Sequence, residues 1–389
     1  MLKENNMQVP KLRFKEFKLP YSKYQLSNYL IESKLKNKNL IYNKNDVLSV
    51  SGKFGVINQI ELQGRSFAGE KVNNYHIVET NDIVYTKSPL KLSPYGIIKV
   101  NNGISGIVST LYAVYHVLPN AIPKYIDFYF NYNLRLNKYL KPIVNIGAKH
   151  DMKISNEYVL TNYVSFPSLE EQTKIANFLS LIDRKIELQE KLVENLKLYK
   201  KGLLKKVFSN NLGWKSAKLG DICEIVMGQS PNSENYNNTN KGMPLIQGNA
   251  DIFNRKTNPK NYTTQITKTC DIGDILISVR APVGNVAISN HYACIGRGMC
   301  KLLTKLNKKY IYQYLLAYEN CWDKISQGST FQSISSSDIY NFIVKYPSIE
   351  QQNQIANLFS NLDKKIDFET NRLTKLKEYK KGLLQQMFI

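Results

Sequence analysis

Residues 167–208 read PSLEEQTKIANFLSLIDRKIELQEKLVENLKLYKKGLLKKVF, and residues 347–388 read PSIEQQNQIANLFSNLDKKIDFETNRLTKLKEYKKGLLQQMF. The two stretches align without a gap from Pro167 and Pro347 onward, and about half of their positions are identical. An internal repeat of this quality indicates a duplicated architecture, in which each copy is a globular stretch followed by one such segment.

Each repeated segment is predicted to form one long helix. A proline precedes it, and Ser168 with Glu171, or Ser348 with Gln351, has the spacing of a capping box that satisfies free backbone N–H groups. No further proline interrupts either segment. Some 40 helical residues at 1.5 Å each would extend over about 60 Å.

Apolar residues recur in both helices with alternating spacings of four and three, which is the pattern of a coiled coil. We call these positions the helix-pair seam; they are Ile175, Leu179, Ile182, Ile186, Val193, Leu196, Leu203 and Val207 in the first copy, and Ile355, Phe359, Leu362, Ile366, Leu373, Leu376, Leu383 and Met387 in the second. Because the seams match, we expect the helices to pack on each other as an antiparallel coiled coil with a globular unit at each end. The alternative is that each helix lies on its own globular core.

The remaining sequence alternates short apolar runs with turn residues, and we predict two mixed α/β domains. Helices within these domains are expected at residues 124–140 and 308–318. The fold class is therefore α+β with an internal pseudo-two-fold repeat. Its expected segments are a first mixed domain (1–165), a central helix (166–209), a second mixed domain (210–345) and a C-terminal helix (346–389).

The charge balance favours a polyanionic partner. Lysine and arginine total 53 against 31 acidic residues, which leaves a formal net charge of +22. Neutralising phosphates with such charge releases counterions, so a nucleic acid is the expected ligand. The alternative is that the lysines reflect the codon bias of an AT-rich genome.

Several classes of site and location are not expected. No apolar run is long enough for a membrane span, and the first ten residues lack an apolar signal core. The five cysteines include no CxxC pair, so neither a structural zinc site nor a disulfide framework is predicted. We therefore expect a cytoplasmic protein.

Catalytic motifs are also missing. The sequence contains no phosphate-binding GxxxxGK[ST] loop, no HExxH, no GxSxG and no dinucleotide-binding GxGxxG. The four histidines are scattered, and we assign no catalytic residue and no cofactor to this chain.

Candidate DNA contacts are polar and basic residues in predicted loops. Arginine can donate two hydrogen bonds to guanine, and asparagine or glutamine can pair similarly with adenine. The candidates are Ser51, Lys53, Arg65, Lys87 and Ser88 in the first domain, and Gln229, Ser230, Gln247, Asn249, Arg255, Arg280 and Arg297 in the second. Ordinary solvated surface is the alternative for each of them.

The order of these elements closely resembles the specificity subunit of type I restriction–modification enzymes. The duplicated PxxxEQ helix carries most of the resemblance. Further points of likeness are Val9-Pro-Lys-Leu-Arg-Phe14, Leu219-Gly-Asp-Ile222 and Gly228-Gln-Ser-Pro231. The resemblance extends over essentially the whole chain.

This resemblance implies two target-recognition domains, each contacting one half of a bipartite site in double-stranded DNA. The helix pair would set the gap between the half-sites and dock two methylation subunits, with restriction and translocation subunits completing the enzyme. Adenosylmethionine, ATP and magnesium would bind those partners and not this chain. Two alternatives stay open, namely a stand-alone DNA methyltransferase or nuclease, and a coiled-coil scaffold that does not bind DNA.

Overall fold

The structure is a computed structural model that describes residues 9–146, 152–325 and 333–389. It divides into two compact units. Unit 1 comprises Met1–Gln189 and Arg372–Ile389, and unit 2 comprises Glu190–Asn371. Each of the two long helices therefore contributes one half to each unit.

The described part of unit 1 contains short strands, three short helices, the first half of the first long helix and the end of the second. Its elements are β1 (Ser22–Gln25), β2 (Leu30–Glu32), β3 (Leu48–Ser51), β4 (Gly55–Asn58), α1 (Gln59–Gln63), β5 (His76–Val78), β6 (Ile83–Thr86), β7 (Ile97–Val100), β8 (Gly106–Val108), β9 (Tyr112–Val117), α2 (Pro123–Phe130), α3 (Asn133–Leu140), β10 (Asn145–Ile146), β11 (Met152–Lys153), β12 (Tyr163–Phe166) and α4 (Leu169–Ser209). The largest sheet has the antiparallel order β2-β9-β6-β7, and β1 pairs with β12 immediately before the long helix.

Unit 2 has larger sheets. Its elements are β13 (Lys215–Lys218), α5 (Leu219–Ile222), β14 (Cys223–Met227), β15 (Tyr236–Asn237), β16 (Met243–Ile246), β17 (Ile252–Phe253), β18 (Lys256–Thr257), β19 (Asn261–Thr263), β20 (Thr269–Cys270), β21 (Ile275–Ser278), β22 (Val286–Ile288), β23 (Ala293–Ile295), β24 (Met299–Thr304), α6 (Lys308–Ala317), α7 (Trp322–Ile325), α8 (Ser336–Asn341), β25 (Ile343–Tyr346) and α9 (Ile349–Gln386). A six-stranded sheet, β14-β24-β21-β22-β18-β17, lies beside a five-stranded sheet, β15-β19-β16-β23-β20. Strands β13 and β25 pair before the second long helix, as β1 and β12 do before the first.

The two long helices run antiparallel, and this is visible within each unit. In unit 1 the start of α4, at Ile175 and Leu179, shares a buried core with Leu383 at the end of α9 and with Met387 just beyond it. In unit 2 the end of α4, at Phe208, shares a core with the start of α9. Every position of the helix-pair seam is buried or half-buried. The predicted antiparallel coiled coil is confirmed.

A glutamine near the start of each long helix attaches that helix to a helix of the mixed domain; it is Gln172 in PSLEEQ and Gln352 in PSIEQQ. The Gln172 side chain is 1% exposed; its Oε1 accepts a hydrogen bond from the backbone N–H of Ile122 at 3.1 Å, and its Nε2 donates to the carbonyl of Pro167 at 3.0 Å. Ile122 is the residue that caps α2. Gln352 repeats the arrangement, because it accepts from the N–H of Asn307, the residue that caps α6.

The serine half of each capping box is present, whereas Glu171 has another partner. Ser168 Oγ accepts from the backbone N–H of Glu171, but the Glu171 carboxylate accepts two hydrogen bonds, at 2.7 and 2.8 Å, from the guanidinium of Arg13. Glu171 is 1% exposed, so this ion pair is buried. The backbone N–H of Leu12 also donates to the carbonyl of Gln386 in α9. The segment around Arg13 therefore lies against both long helices of unit 1.

One helix prediction was wrong in detail. Residues 124–140 form two helices, α2 and α3, instead of one. The first helix ends at Asn131, and Tyr132, which has an extended backbone, caps the second. The helix expected at 308–318 is present as α6. Among the described residues, no helix has both the length and the apolar character needed to cross a membrane.

Candidate nucleic-acid interface

In unit 2, three loops that follow strand ends meet in one cluster. The loop after β14 contains Gln229, the loop after β16 contains Gln247, and the loop after β23 contains Arg297. The N–H of Gln229 donates to the carbonyl of Ile295 at 2.9 Å, and the N–H of Gly296 donates to that of Ile246 at 2.8 Å. Backbone hydrogen bonds therefore fix the three loops in one surface.

Glycines allow this close approach. A Cβ on Gly228 would lie 2.2 Å from the carbonyl oxygen of Gly296, and a Cβ on Gly298 would lie 2.2 Å from that of Gln247. Neither position has room for a side chain. Ser230 supports the same cluster, since its Oγ accepts a hydrogen bond from the N–H of Arg297 at 3.0 Å.

The cluster presents several of the candidate side chains to solvent. Gln229 and Arg297 are exposed, and Gln247 and Asn249 are half-exposed. Arg280 is exposed and adjoins Val279, whose N–H donates to the carbonyl of Gly298. We call this set the unit 2 polar surface; it consists of Gln229, Ser230, Gln247, Asn249, Arg280 and Arg297. Its donors and acceptors suit base edges and phosphates.

Arg255 is the one unit 2 candidate that lies outside this surface. Its guanidinium forms a bidentate ion pair with the Glu319 carboxylate, and the neighbouring Lys256 pairs with Asp367 of α9 at 3.0 Å. The β17–β18 hairpin is thereby held beside the long helix. For Arg255 to contact DNA, its guanidinium would have to leave the Glu319 carboxylate and bind a phosphate or a guanine instead.

In unit 1, three candidates cluster around the β3–β4 hairpin. Ser51 Oγ accepts hydrogen bonds from the backbone N–H groups of Lys53 and Phe54, which orders the turn. Arg65 follows α1, which ends at Gly64 with a φ of 78°. Lys53 and Arg65 are both exposed.

Lys87 and Ser88 follow β6 and adjoin the same region. Val84 of β6 shares a buried core with Leu48 of β3 and Val56 of β4. Ser88 is exposed, whereas Lys87 is half-buried. Burial lowers the pKa of Lys87, and the charge of Glu32 opposes that shift.

Lys200 and Lys380 interrupt the apolar spacing of the two long helices at matching positions, and both form ion pairs. In unit 2, Lys200 Nζ lies 2.5 Å from Asp363, which also accepts a hydrogen bond from Gln313 of α6 at 2.7 Å. In unit 1, Lys380 pairs with Asp183. Asp183 and Lys200 are the sequence counterparts of Asp363 and Lys380. Burial lowers the pKa of Lys200, and Asp363 opposes that shift.

Glu79, Asp82 and His116 bring three possible metal-ligand atoms within 4.8 Å of one another. Both oxygens of Asp82 already have partners, namely the N–H of Glu79 at 2.7 Å and Nδ1 of His116 at 2.7 Å. Asp274 of unit 2 makes the same backbone contact, to the N–H of Asp271. In both units this hydrogen bond closes the turn that precedes a strand. The carboxylates of Asp82 and Asp274 therefore have a structural role.

Two kinds of candidate functional residue were not found from the sequence. The first group comprises Gln172 and Gln352, which attach the long helices to the mixed domains. Both lie inside the quoted repeats, but the sequence around a helical glutamine does not show whether its side chain is buried or exposed. The other group comprises the exposed aromatics Phe54 and Phe67, which are 56% and 59% exposed. A phenylalanine between polar residues could equally well belong to the core.

Comparison with known proteins identifies relatives of one kind. The family model for the type I restriction modification DNA specificity domain matches residues 30–198 and 211–378. The chain is 33% identical, over 242 residues, to a protein of Methanocaldococcus jannaschii named as the putative specificity subunit of the type I restriction enzyme MjaX. That match covers 57% of this chain and 57% of the relative, so it spans little more than half of the relative's length.

Two solved structures share the fold. A chain from a structural study of complex assembly and conformational transition in the type I R-M system is similar with a TM-score of 0.62 and 22% identity, covering 96% of this chain and 99% of that one. The S subunit of the type I restriction-modification system of M. genitalium is similar with a TM-score of 0.61 and 16% identity, covering 98% and 99%. The two matched domains, the repeated helices and these shared folds together show that the chain belongs to the family of type I restriction–modification DNA specificity domains.

Proposed function

We propose that this chain is the non-catalytic, DNA-binding specificity subunit of a type I restriction–modification complex in the cytoplasm. Residues 1–165 and 210–345 would each contact one half of a bipartite site in double-stranded DNA. The observation that carries the proposal is the duplication: two different mixed domains attach to matching helices through the same buried glutamine, Gln172 or Gln352. Two dissimilar domains on one repeated support suit two different half-sites.

The helix pair would set the gap between the half-sites. DNA-binding domains that contact one duplex must match its helical repeat of about 34 Å. A rigid coiled coil meets this requirement better than a flexible linker, which would distribute the domains over many separations. The ion pairs Lys200–Asp363 and Asp183–Lys380 lie on this pair, and they support a defined register.

The helices would also dock two methylation subunits, and the complete enzyme would add restriction and translocation subunits. Unit 1 exposes Leu188 and Tyr379 on its helices, and unit 2 exposes their repeat counterparts Phe368 and Tyr199, all between 52% and 65% exposed. Exposed apolar residues that recur in both copies are typical of a protein interface. Adenosylmethionine, ATP and magnesium would bind to those partners.

Docking can be tested with charged substitutions. Leu188→Glu and Phe368→Glu should each weaken co-purification of the methylation subunit, because a carboxylate would be buried against an apolar surface. Leu212→Glu is the matched control, since Leu212 is 95% exposed and lies beyond the end of α4. Equal co-purification of all three variants would contradict docking at these positions.

DNA recognition can be tested by in vitro selection with the assembled complex. The proposal predicts that a random duplex library yields two short sequences separated by a fixed gap. Selection of one continuous sequence would contradict two recognition domains, and binding without sequence preference would favour the scaffold alternative. Binding of adenosylmethionine by the chain alone would favour the methyltransferase alternative.

A further inference from the structure

We propose that the first recognition domain contacts DNA by base stacking, with the rings of Phe54 and Phe67 placed against nucleobases of its half-site. We call Lys53, Phe54, Arg65 and Phe67 the stacking edge. This inference rests on the proposed function, because it specifies how the DNA-binding surface of unit 1 holds its ligand.

The rings of Phe54 and Phe67 are exposed, although the β3–β4 hairpin that carries Phe54 packs against a buried hydrophobic core. Leu48 and Val56 of this hairpin are buried together with Val84 and Val114 of the large sheet. Phe54 is nevertheless 56% exposed. The fold therefore has an apolar interior available at the hairpin, and this ring lies outside it. Phe67, which follows α1, is 59% exposed.

Each exposed ring has a cation against it. Lys53 Nζ lies 4.8 Å from the ring centroid of Phe54, and the Arg65 guanidinium carbon lies 4.6 Å from that of Phe67. A ring next to a cation combines the two contacts that a nucleotide needs, since the base can stack on the aromatic ring while the cation attracts the phosphate.

Hydrogen bonds order the backbone on both sides of the stacking edge. Ser51 Oγ accepts from the N–H groups of Lys53 and Phe54. Gln59 Oε1 accepts from the N–H of Phe67 at 2.7 Å, while its Nε2 donates to Ser49 Oγ on β3 at 3.2 Å. Gln59 therefore joins the Phe67 loop to the hairpin that carries Phe54. Ordering before binding lowers the entropic cost of stacking.

The paired cations favour DNA over a protein partner as the occupant. An apolar protein surface would bury the rings together with Lys53 and Arg65, which would then lose water without gaining an anion. A phosphate backbone supplies that anion beside every base. The formal net charge of +22 acts in the same direction.

The test uses the full chain assembled with its methylation subunits and duplexes that carry the selected bipartite sequence. Placing 2-aminopurine at successive positions of each half-site reports any base step that is opened or newly stacked. Binding is expected to change the fluorescence at a position in one half-site. Phe54→Ala and Phe67→Ala should abolish that change and weaken binding by roughly 5- to 150-fold.

Two control variants separate stacking from other effects. Phe54→Trp keeps an aromatic ring and should retain both the fluorescence change and the affinity. Tyr163→Ala removes another exposed ring that has a lysine against it. Tyr163 is 54% exposed, and Lys23 Nζ lies 5.6 Å from its ring centroid. It lies on β12, immediately before the long helix, and is not part of the stacking edge. This variant should bind DNA as the wild type does.

The outcomes distinguish this inference from the proposed function. If the wild-type complex binds without sequence preference, the proposed function fails, and the inference fails with it. If binding is specific but no 2-aminopurine position responds, or the alanine variants bind equally well, only base stacking is overturned. Alanine variants that stay folded but no longer assemble with the methylation subunits would identify the stacking edge as a protein contact and would also overturn it.

Discussion

Single glycines decide whether the unit 2 polar surface can form. Gly228 and Gly298 lie where backbone segments approach so closely that even a methyl group would overlap a carbonyl oxygen at 2.2 Å. Gly248 differs from them, because a Cβ added there would have no atom within 4 Å and its backbone is extended, with a φ of 179°. The three positions look alike in sequence, but only the first two have a steric need for glycine.

Gly298→Ala is therefore expected to destabilise the chain by about 1–3 kcal/mol, because the Gln247 backbone must move to make room. Thermal unfolding measures the loss, and selection with the variant complex should show weakened preference at one half-site only. Gly248→Ala is the matched control and should leave both properties unchanged. Equal stability of the two variants would show that the surface tolerates a shift of its backbone.

The candidate DNA contacts chosen from the sequence differ in where the structure places them. Polar and basic residues in predicted loops were chosen as candidates, and six of the seven in unit 2 adjoin one another in the structure. Arg255 does not, because its ion pair with Glu319 joins residues far apart in the chain. A partner so distant leaves no local signal. Which candidates touch DNA stays a prediction.

At the scale of elements, the long helices could be predicted almost completely. Their capping serines, the absence of proline and the sustained apolar spacing are local signals, and the matching seams identified each helix as the partner of the other. The attachment of the mixed domains could not be predicted. It depends on hydrogen bonds from the buried Gln172 and Gln352 to α2 and α6, which lie about 50 residues earlier in the chain.

Gln352→Ala tests this attachment. It removes the acceptor for the N–H of Asn307 and the donor to the carbonyl of Pro347, so we expect a loss of about 1–3 kcal/mol in the free energy of unfolding. Gln351→Ala changes the adjacent exposed glutamine and should have little effect. Denaturant unfolding of both variants makes the comparison, and losses of similar size would remove the special role of Gln352.

A charge exchange tests the register of the helix pair. Asp183→Lys places two ammonium groups at the contact with Lys380, which is only 18% exposed, and should cost about 1–3 kcal/mol. Adding Lys380→Asp restores opposite charges and should recover most of that loss. Thermal unfolding of the two single variants and the double variant measures the coupling. A double variant no more stable than the single ones would show that the ion pair does not contribute to the register.

At the scale of the whole molecule, we expect helix length and DNA sequence preference to be separable. Inserting one heptad into both long helices preserves the spacing of the helix-pair seam. The tolerated gap between half-sites should change, while the half-sites stay the same because neither mixed domain is altered. Selection with the extended complex measures both. Altered half-site sequences would contradict a spacing role for the helices.

The duplication made the overall organisation predictable, since one repeat relates the two helices and their domains. The DNA target was not predictable, because the side chains proposed to contact DNA lie in loops, and long-range contacts such as that of Gly298 with the Gln247 backbone set the positions of these loops.

Methylome sequencing of cells that carry this chain with its methylation subunits tests most directly whether two different domains on one helix pair specify one split DNA site. We expect methylation at a motif of two short sequences separated by a fixed gap, and loss of that motif when the chain is removed. A continuous methylated motif, or methylation unchanged by removal of the chain, would contradict this function.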